Sequence, residues 1–187
     1  MANYVAPSSA GLHVAWTTWD LAHTSDVTLR WENEGWTAEG GIDIHGVHYV
    51  IRLSAQWKVQ QVLLFRDMDD PDLWLGTDGH GRWGEVNGAH RTELDGCVDI
   101  DLAGTPFTNV IPIRRLPLGV GEAASLNIIT IDVETLGVGV SPQIYSRLGT
   151  HSWRYTSLDQ GVQVEVDVDE LGFIIDEPGA FRRISNP

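Results

Sequence analysis

Three aspartates lie within seven residues in the segment LDGCVDIDLAG, residues 94–104. In a β-strand, alternate side chains point to the same face of the sheet. If this segment is a strand, its polar face carries Asp95, Cys97, Asp99 and Asp101. Carboxylates grouped in this way can accept hydrogen bonds from several hydroxyl groups at once, which is what recognition of a sugar or another polyol requires.

The acidic row could also be a solvated outer face, the common arrangement when only one face of an antiparallel sheet is covered. Cys97 favours an inward direction, since free cysteine is among the most buried residue types. Thr105 and Asn109 follow the row and supply neutral hydrogen-bonding groups near one end of it. We therefore predict that Asp99 and Asp101 point inward with Cys97, into a pocket or an ion-pair network.

A helix start is predicted directly after the acidic row. Thr105 is a good N-cap residue and Pro106 suits the first helical position. Pro112 is expected to kink or break this helix after about two turns. Arg114 and Arg115 would then lie near its C-terminal end, where positive charge is favourable. Because arginines beside acids often form buried ion pairs, we expect these two to serve the structure more than a ligand.

The rest of the chain shows the period-2 hydrophobicity of β-strands. This alternation is clearest in the segments 41–65, 126–133, 141–161 and 161–179. Turn residues are spread along the whole sequence, with 20 glycines and eight prolines among 187 residues. The sequence thus predicts one mainly β domain, residues 1–187, with a mostly antiparallel sheet, one short helix and no second long helix.

Composition excludes several classes of protein. The net charge of −14 opposes binding to phosphate, which argues against a nucleic-acid partner. No run approaches the roughly 18 apolar residues of a membrane-spanning helix. A single cysteine excludes an intramolecular disulfide framework. The first residues show no basic and apolar export signal, so the expected location is cytoplasmic.

No motif for a metal ion, a cofactor or a nucleophile is present. In the aspartate-rich segment 66–79, Pro71 stands where a calcium loop needs a ligand. There is no G-x-S-x-G motif, and neighbouring carboxylates would suppress the thiolate form of Cys97. Paired carboxylates could act as the acid and base of a glycosidase, which keeps a hydrolase as the alternative to a binding protein. We therefore expect no metal and no cofactor.

Four segments resemble a known bacterial family, the putative glycolipid-binding proteins, long classed as a domain of unknown function. They are GWTAEG, LDGCVDIDLAGTPFTNVIPIRRL, QIYSRL with the following WRY, and VDELGFIIDEPGAFRRI. The resemblance implies a strongly curved antiparallel sheet, a spiral roll or half-barrel, wrapped around a single short helix. It also implies a remote likeness to periplasmic lipoprotein carriers, an acidic pocket and a role in glycolipid binding or metabolism.

The resemblance also implies which residues line the pocket. The candidates are Asp95, Asp99 and Asp101, with Glu39 of GWTAEG, and the matching motif residues Thr105, Asn109, Arg114 and Arg115. The chain departs from the carriers because it has no lipidation cysteine near its start. Three functions stay open: a binder of a glycolipid or sugar, a carbohydrate hydrolase, and a structural module without a ligand.

The expected sheet also bears on assembly. A curved sheet that does not close leaves edge strands, which must be covered, charged or paired. With eight tryptophans available, pairing through a two-fold interface would bury both an edge and aromatic area. We therefore predict a homodimer.

Overall fold

The structure, a computed structural model, describes residues 4–66 and 70–184. Within them the chain forms fourteen strands and one α-helix. The strands are β1 (Leu12–Thr18), β2 (Thr24–Glu32), β3 (Gly35–Ile42), β4 (Val47–Ser54), β5 (Val59–Phe65), β6 (Leu73–Thr77), β7 (Trp83–Glu85), β8 (Asp99–Leu102), β9 (Ala123–Ile131), β10 (Val138–Arg147), β11 (Ser152–Ser157), β12 (Val162–Val168), β13 (Ile174–Glu177) and β14 (Phe181–Arg183); the helix is α1 (Phe107–Arg115).

All fourteen strands belong to one sheet, in the order β7-β6-β5-β4-β3-β2-β1-β14-β13-β12-β11-β10-β9-β8. From β1 to β7 and from β9 to β14, strands that are consecutive in the sequence pair antiparallel, and β1 pairs with β14 to join the two halves. Only β8 and β9 run parallel among the described strand pairs. Helix α1 makes this pair possible, because parallel neighbours need a long crossover connection between them. The predicted mainly β, mostly antiparallel fold is confirmed.

The sheet is open and not strongly curled, so the strongly curved form implied by the resemblance, a spiral roll or half-barrel, is wrong. β7 and β8 stand at the two ends of the strand order and do not pair with each other in the described structure. Residues 86–98 between them form turns, including the 3-10 turn Thr92–Leu94, so no strand continues the ladder there. A backbone hydrogen bond from Val59 N to Val98 O, 3.3 Å long, ties this segment to β5.

The core lies between the sheet and helix α1, whose first seven residues are all buried. The Phe107 ring stacks on Tyr49 of β4 and on Phe173 beside β13, with ring centroids 6.4 Å and 6.3 Å apart. The helix therefore contacts both halves of the sheet. Gly40 permits this packing, because a Cβ there would lie 2.0 Å from the carbonyl oxygen of Asp26 and 2.6 Å from the Tyr49 hydroxyl.

The helix begins close to the predicted residues, and Arg114 and Arg115 lie in its last turn as predicted. Its first residue is Phe107, whose backbone N–H donates to Thr105 Oγ1 at 3.3 Å. Pro112 does not break it, and the helix continues to Arg115. Packing against the sheet stabilises the last turn, because tertiary contacts outweigh the hydrogen bond that proline cannot make. As predicted, the described residues contain no second long helix. None of the helices in residues 4–66 and 70–184 has the length and apolar character to cross a membrane.

Candidate functional site

An ion pair joins β8 to the C-terminal end of helix α1. Arg115 donates from Nε to Asp99 Oδ1 at 2.9 Å and from Nη2 to Asp99 Oδ2 at 2.5 Å. The Asp99 side chain is 1% exposed and that of Arg115 is 16% exposed. Burial raises the pKa of Asp99, and the two hydrogen bonds from Arg115 oppose that shift. The prediction that Asp99 points inward, into a pocket or an ion-pair network, is confirmed, and Asp99 takes part in an ion pair.

Arg114 is held by aromatic rings. Its Cζ lies 4.3 Å from the ring centroid of Trp57 and 5.9 Å from that of Tyr4. The guanidinium also donates to the carbonyl oxygen of Val5. Burial lowers the pKa of Arg114 to about 10. These contacts attach the first described residues of the chain to the helix, which is a structural role.

Asp101 lies on the wall of a cavity of about 390 Å³. Its Oδ1 accepts a hydrogen bond of 3.2 Å from the hydroxyl of Thr108, and the nearby Gln143 side chain acts to lower the pKa of the same carboxyl. Burial raises the pKa of Asp101. The polar side chains of the wall include Asp101, Thr105, Asn109, Gln143, Tyr155 and Glu177. The cavity thus lies where β8, the start of α1, β10, β11 and β13 meet.

Glu177 is the second buried carboxyl of this cavity. Its Oε1 accepts a hydrogen bond of 2.6 Å from the Tyr155 hydroxyl. Its Oε2 is buried and has no hydrogen-bond partner among the described residues, and the same is true of Gln143 Oε1. Burial raises the pKa of Glu177, and the nearby charge of Asp101 raises it further. Two acceptors on the wall therefore lack a donor within the described structure.

Hydrogen bonds and ring stacking position the polar wall. Tyr145 donates from its hydroxyl to Asn109 Oδ1 at 2.8 Å. Tyr155 donates to Glu177, and its ring stacks on that of Tyr145 with centroids 5.8 Å apart. Burial raises the pKa of both tyrosines, so both stay protonated as donors. Thr105 is held by a 2.7 Å hydrogen bond from Ser25.

Asp95 and Glu39 lie outside the cavity. β8 begins only at Asp99, and Gly96 has a φ of 83°, which interrupts the alternation of a strand. The prediction that Asp95 shares a row with the other two aspartates is therefore wrong. Asp95 instead accepts 2.9 Å hydrogen bonds from His90 Nε2. Glu39 is half-exposed on β3 beside His48 and Arg30.

The aspartate-rich segment carries no sign of a cation site in its described part. Residues 67–69 lie outside the described structure. Asp72 accepts hydrogen bonds from the backbone N–H and the guanidinium of Arg66. Across residues 4–66 and 70–184, no three His, Cys, Asp or Glu side chains are grouped as a ligand set for a metal ion.

Comparison with known proteins identifies the family. A sequence model described as "Putative glycolipid-binding" matches residues 13–183. The chain belongs to this putative glycolipid-binding family. It is also similar to a crystal structure of a DUF1089 family protein from Pseudomonas aeruginosa, with 28% sequence identity and a TM-score of 0.71 over 97% of this chain and 95% of that chain. No significant match was found among curated proteins. The resemblance seen in the sequence motifs is confirmed.

Three polar residues on which the candidate site depends, Gln143, Tyr155 and Glu177, were not predicted from the sequence. Each lies in a segment that carried the resemblance to the glycolipid-binding family: Gln143 opens QIYSRL, Tyr155 closes WRY, and Glu177 lies in VDELGFIIDEPGAFRRI. Their position in these motifs was the available signal. The period-2 alternation of hydrophobicity fits them as ordinary strand residues, so it did not mark them as functional.

Replacing Asp99 with Asn should destabilise the protein, because it leaves the Arg115 guanidinium partly buried without its anionic partner. We expect a loss of about 3–5 kcal/mol in the free energy of unfolding, measured by urea denaturation. The double variant Asp99→Leu with Arg115→Met removes both charges and should recover much of that loss. A loss below about 1 kcal/mol for Asp99→Asn would show that the pair does not hold the helix.

The pKa shift of Glu177 predicts a pH-dependent stability. Because the folded-state pKa lies above the unfolded-state value near 4.5, its contribution to stability is full below that pH and is lost as pH rises through the folded-state pKa. Glu177→Gln removes this loss. The free energy of unfolding of the variant minus that of the wild type should therefore increase as pH rises from 4 to 8. The exposed Glu170→Gln variant is the control and should show a constant difference; a constant difference for Glu177→Gln would contradict the prediction.

Proposed function

We propose that this protein binds the hydroxyl-rich, non-anionic head group of a glycolipid, or a free sugar, in the cavity lined by Asp101 and Glu177. The observation that carries the proposal is the pair of buried acceptors, Glu177 Oε2 and Gln143 Oε1, without a donor among the described residues. Buried polar atoms are almost always hydrogen-bonded, since leaving one unpaired costs about 1–3 kcal/mol. A ligand that brings hydroxyl donors satisfies both.

The size and lining of the cavity support a ligand of this class. Its volume of about 390 Å³ is within the usual range of small-molecule sites and accommodates a monosaccharide unit. Val162, Val164 and Phe181 lie on the same wall and are at least partly exposed. They offer apolar contact for the carbon face of a sugar or for the first methylene groups of an acyl chain.

The charge of the site disfavours anionic head groups. No Lys, Arg or His side chain is among the described residues that line the cavity, whereas two carboxyls are. A phosphate or sulfate group would meet acceptors and negative charge with no cationic partner. We therefore propose selectivity for neutral over phosphorylated glycolipids.

The arrangement of carboxyls favours binding over hydrolysis. A glycosidase needs one carboxyl that is protonated and a second that is ionised. Burial raises the pKa of both Asp101 and Glu177, so neither carboxyl is set apart as the acid or the base.

Helix α1 packs against the apolar face of the sheet, so a carrier-like interior filled by lipid is not part of the proposal. The homodimer stays a prediction.

Isothermal titration calorimetry with octyl β-glucoside and its 6-phosphate tests the proposed function. The neutral glucoside should bind and its phosphate should bind more weakly. Glu177→Gln replaces one acceptor with an amide donor, so affinity for the glucoside should fall by about 1–3 kcal/mol. Glu170→Gln, on an exposed turn, should keep the wild-type affinity. Equal or tighter binding of the phosphate, or wild-type affinity in Glu177→Gln, would overturn the proposal.

A further inference from the structure

The hydrogen-bond donors around the cavity are largely committed to other groups. Ser141 and Ser157 both donate to Asp159 at 2.7 Å. Tyr155 donates to Glu177, as described above. On the cavity wall, the buried side-chain atoms without a hydrogen-bond partner in the described structure are both acceptors, Glu177 Oε2 and Gln143 Oε1, on side chains that are 8% and 5% exposed. The wall therefore has an excess of acceptors.

The cavity also has an excess of negatively charged groups over positively charged ones. The neighbouring Asp99 has its own cation in Arg115, but Asp101 accepts its hydrogen bond from a neutral hydroxyl, that of Thr108. Glu177 likewise receives its hydrogen bond from a neutral tyrosine. One buried and one partly buried carboxyl, Glu177 and Asp101, thus face one cavity without a cationic side chain on its described wall. Buried carboxylates are normally paired, so this arrangement fits a ligand that supplies the positive charge.

We infer that the preferred head group carries a protonated amine, as an amino sugar does. The inference rests on the proposed function, because it assigns the ligand class of the same cavity. An ammonium group offers three donors, no acceptor and one positive charge, which matches the free groups of the wall. A hydroxyl group offers one donor and adds two acceptor lone pairs, for which this wall has few free donors. The amine can therefore donate hydrogen bonds to Glu177 and Gln143 without adding acceptor lone pairs that stay unpaired, whereas a hydroxyl group adds two.

Binding of the amine is coupled to the release of protons. The charge of Asp101 raises the pKa of Glu177, burial raises the pKa of both, and the groups that surround them are the neutral tyrosines Tyr145 and Tyr155 and the paired Asp99. A bound ammonium group stabilises the ionised carboxylates and lowers their pKa. Amine binding therefore releases protons from the protein, whereas binding of a neutral sugar releases few.

The experiment compares three ligands by calorimetry at about pH 6: octyl 2-amino-2-deoxy-β-glucoside, its N-acetyl derivative and octyl β-glucoside. We expect the amine to bind at least about tenfold more tightly than the other two, as a charge-assisted hydrogen bond is roughly twice as strong as a neutral one. Repeating the titration in buffers of different ionisation enthalpy should reveal proton release for the amine. Glu177→Gln should abolish the preference, and Glu170→Gln should keep it.

The outcomes separate the two proposals. If the amine binds no more tightly than octyl β-glucoside, the inference is overturned while the proposed sugar site stands. If none of the three ligands binds, both are overturned. If Glu177→Gln does not fold, the wild-type titrations decide, because tight amine binding without proton release also contradicts the inference.

Discussion

The bidentate ion pair between Asp99 and Arg115 fixes the last strand of the sheet to the end of helix α1. β8 has only one strand neighbour, β9, so its position depends on the helix that follows it. About two turns back along the helix, Thr108 donates a hydrogen bond to Asp101 and thereby holds the second carboxyl of the strand at the cavity wall. Helix α1 is buried and carries polar side chains that need hydrogen-bond partners. The surrounding strands provide these partners, and the cavity lies among them.

The two acids of β8 consequently have different roles. Asp99 is neutralised by its own arginine and contributes to holding the helix, whereas Asp101 faces neutral groups and shares a cavity with Glu177. Burying Glu177 without a cation costs stability, and no compensating contact is visible for its Oε2 atom among the described residues. Buried polar atoms without hydrogen-bond partners are expected at functional sites. For this reason the cavity, and not the ion pair, is the candidate site.

Sequence patterns predicted the local parts of this arrangement. Alternation and helix-start signals placed Asp101, Thr105 and Asn109 correctly near one another, because all three lie within nine residues. The same alternation failed at Asp95, since the backbone of Gly96 turns the chain before the strand begins. Glu177 reaches the cavity only through the pairing of β13 with β12 and β14, a long-range arrangement that period-2 hydrophobicity does not specify. Pro112 was misjudged because propensity is weaker than packing against the sheet.

The central claim is that the acceptors of this cavity recognise the donors of a sugar head group. A crystal structure of the protein with octyl β-glucoside tests it most directly. We expect a sugar hydroxyl within hydrogen-bond distance of Glu177 Oε2, about 2.5–3.0 Å between the oxygens, with the alkyl chain leaving past Phe181. A glucoside bound elsewhere, for example in the groove beside Trp74 and Arg82, with none in the Asp101–Glu177 cavity, would contradict the account.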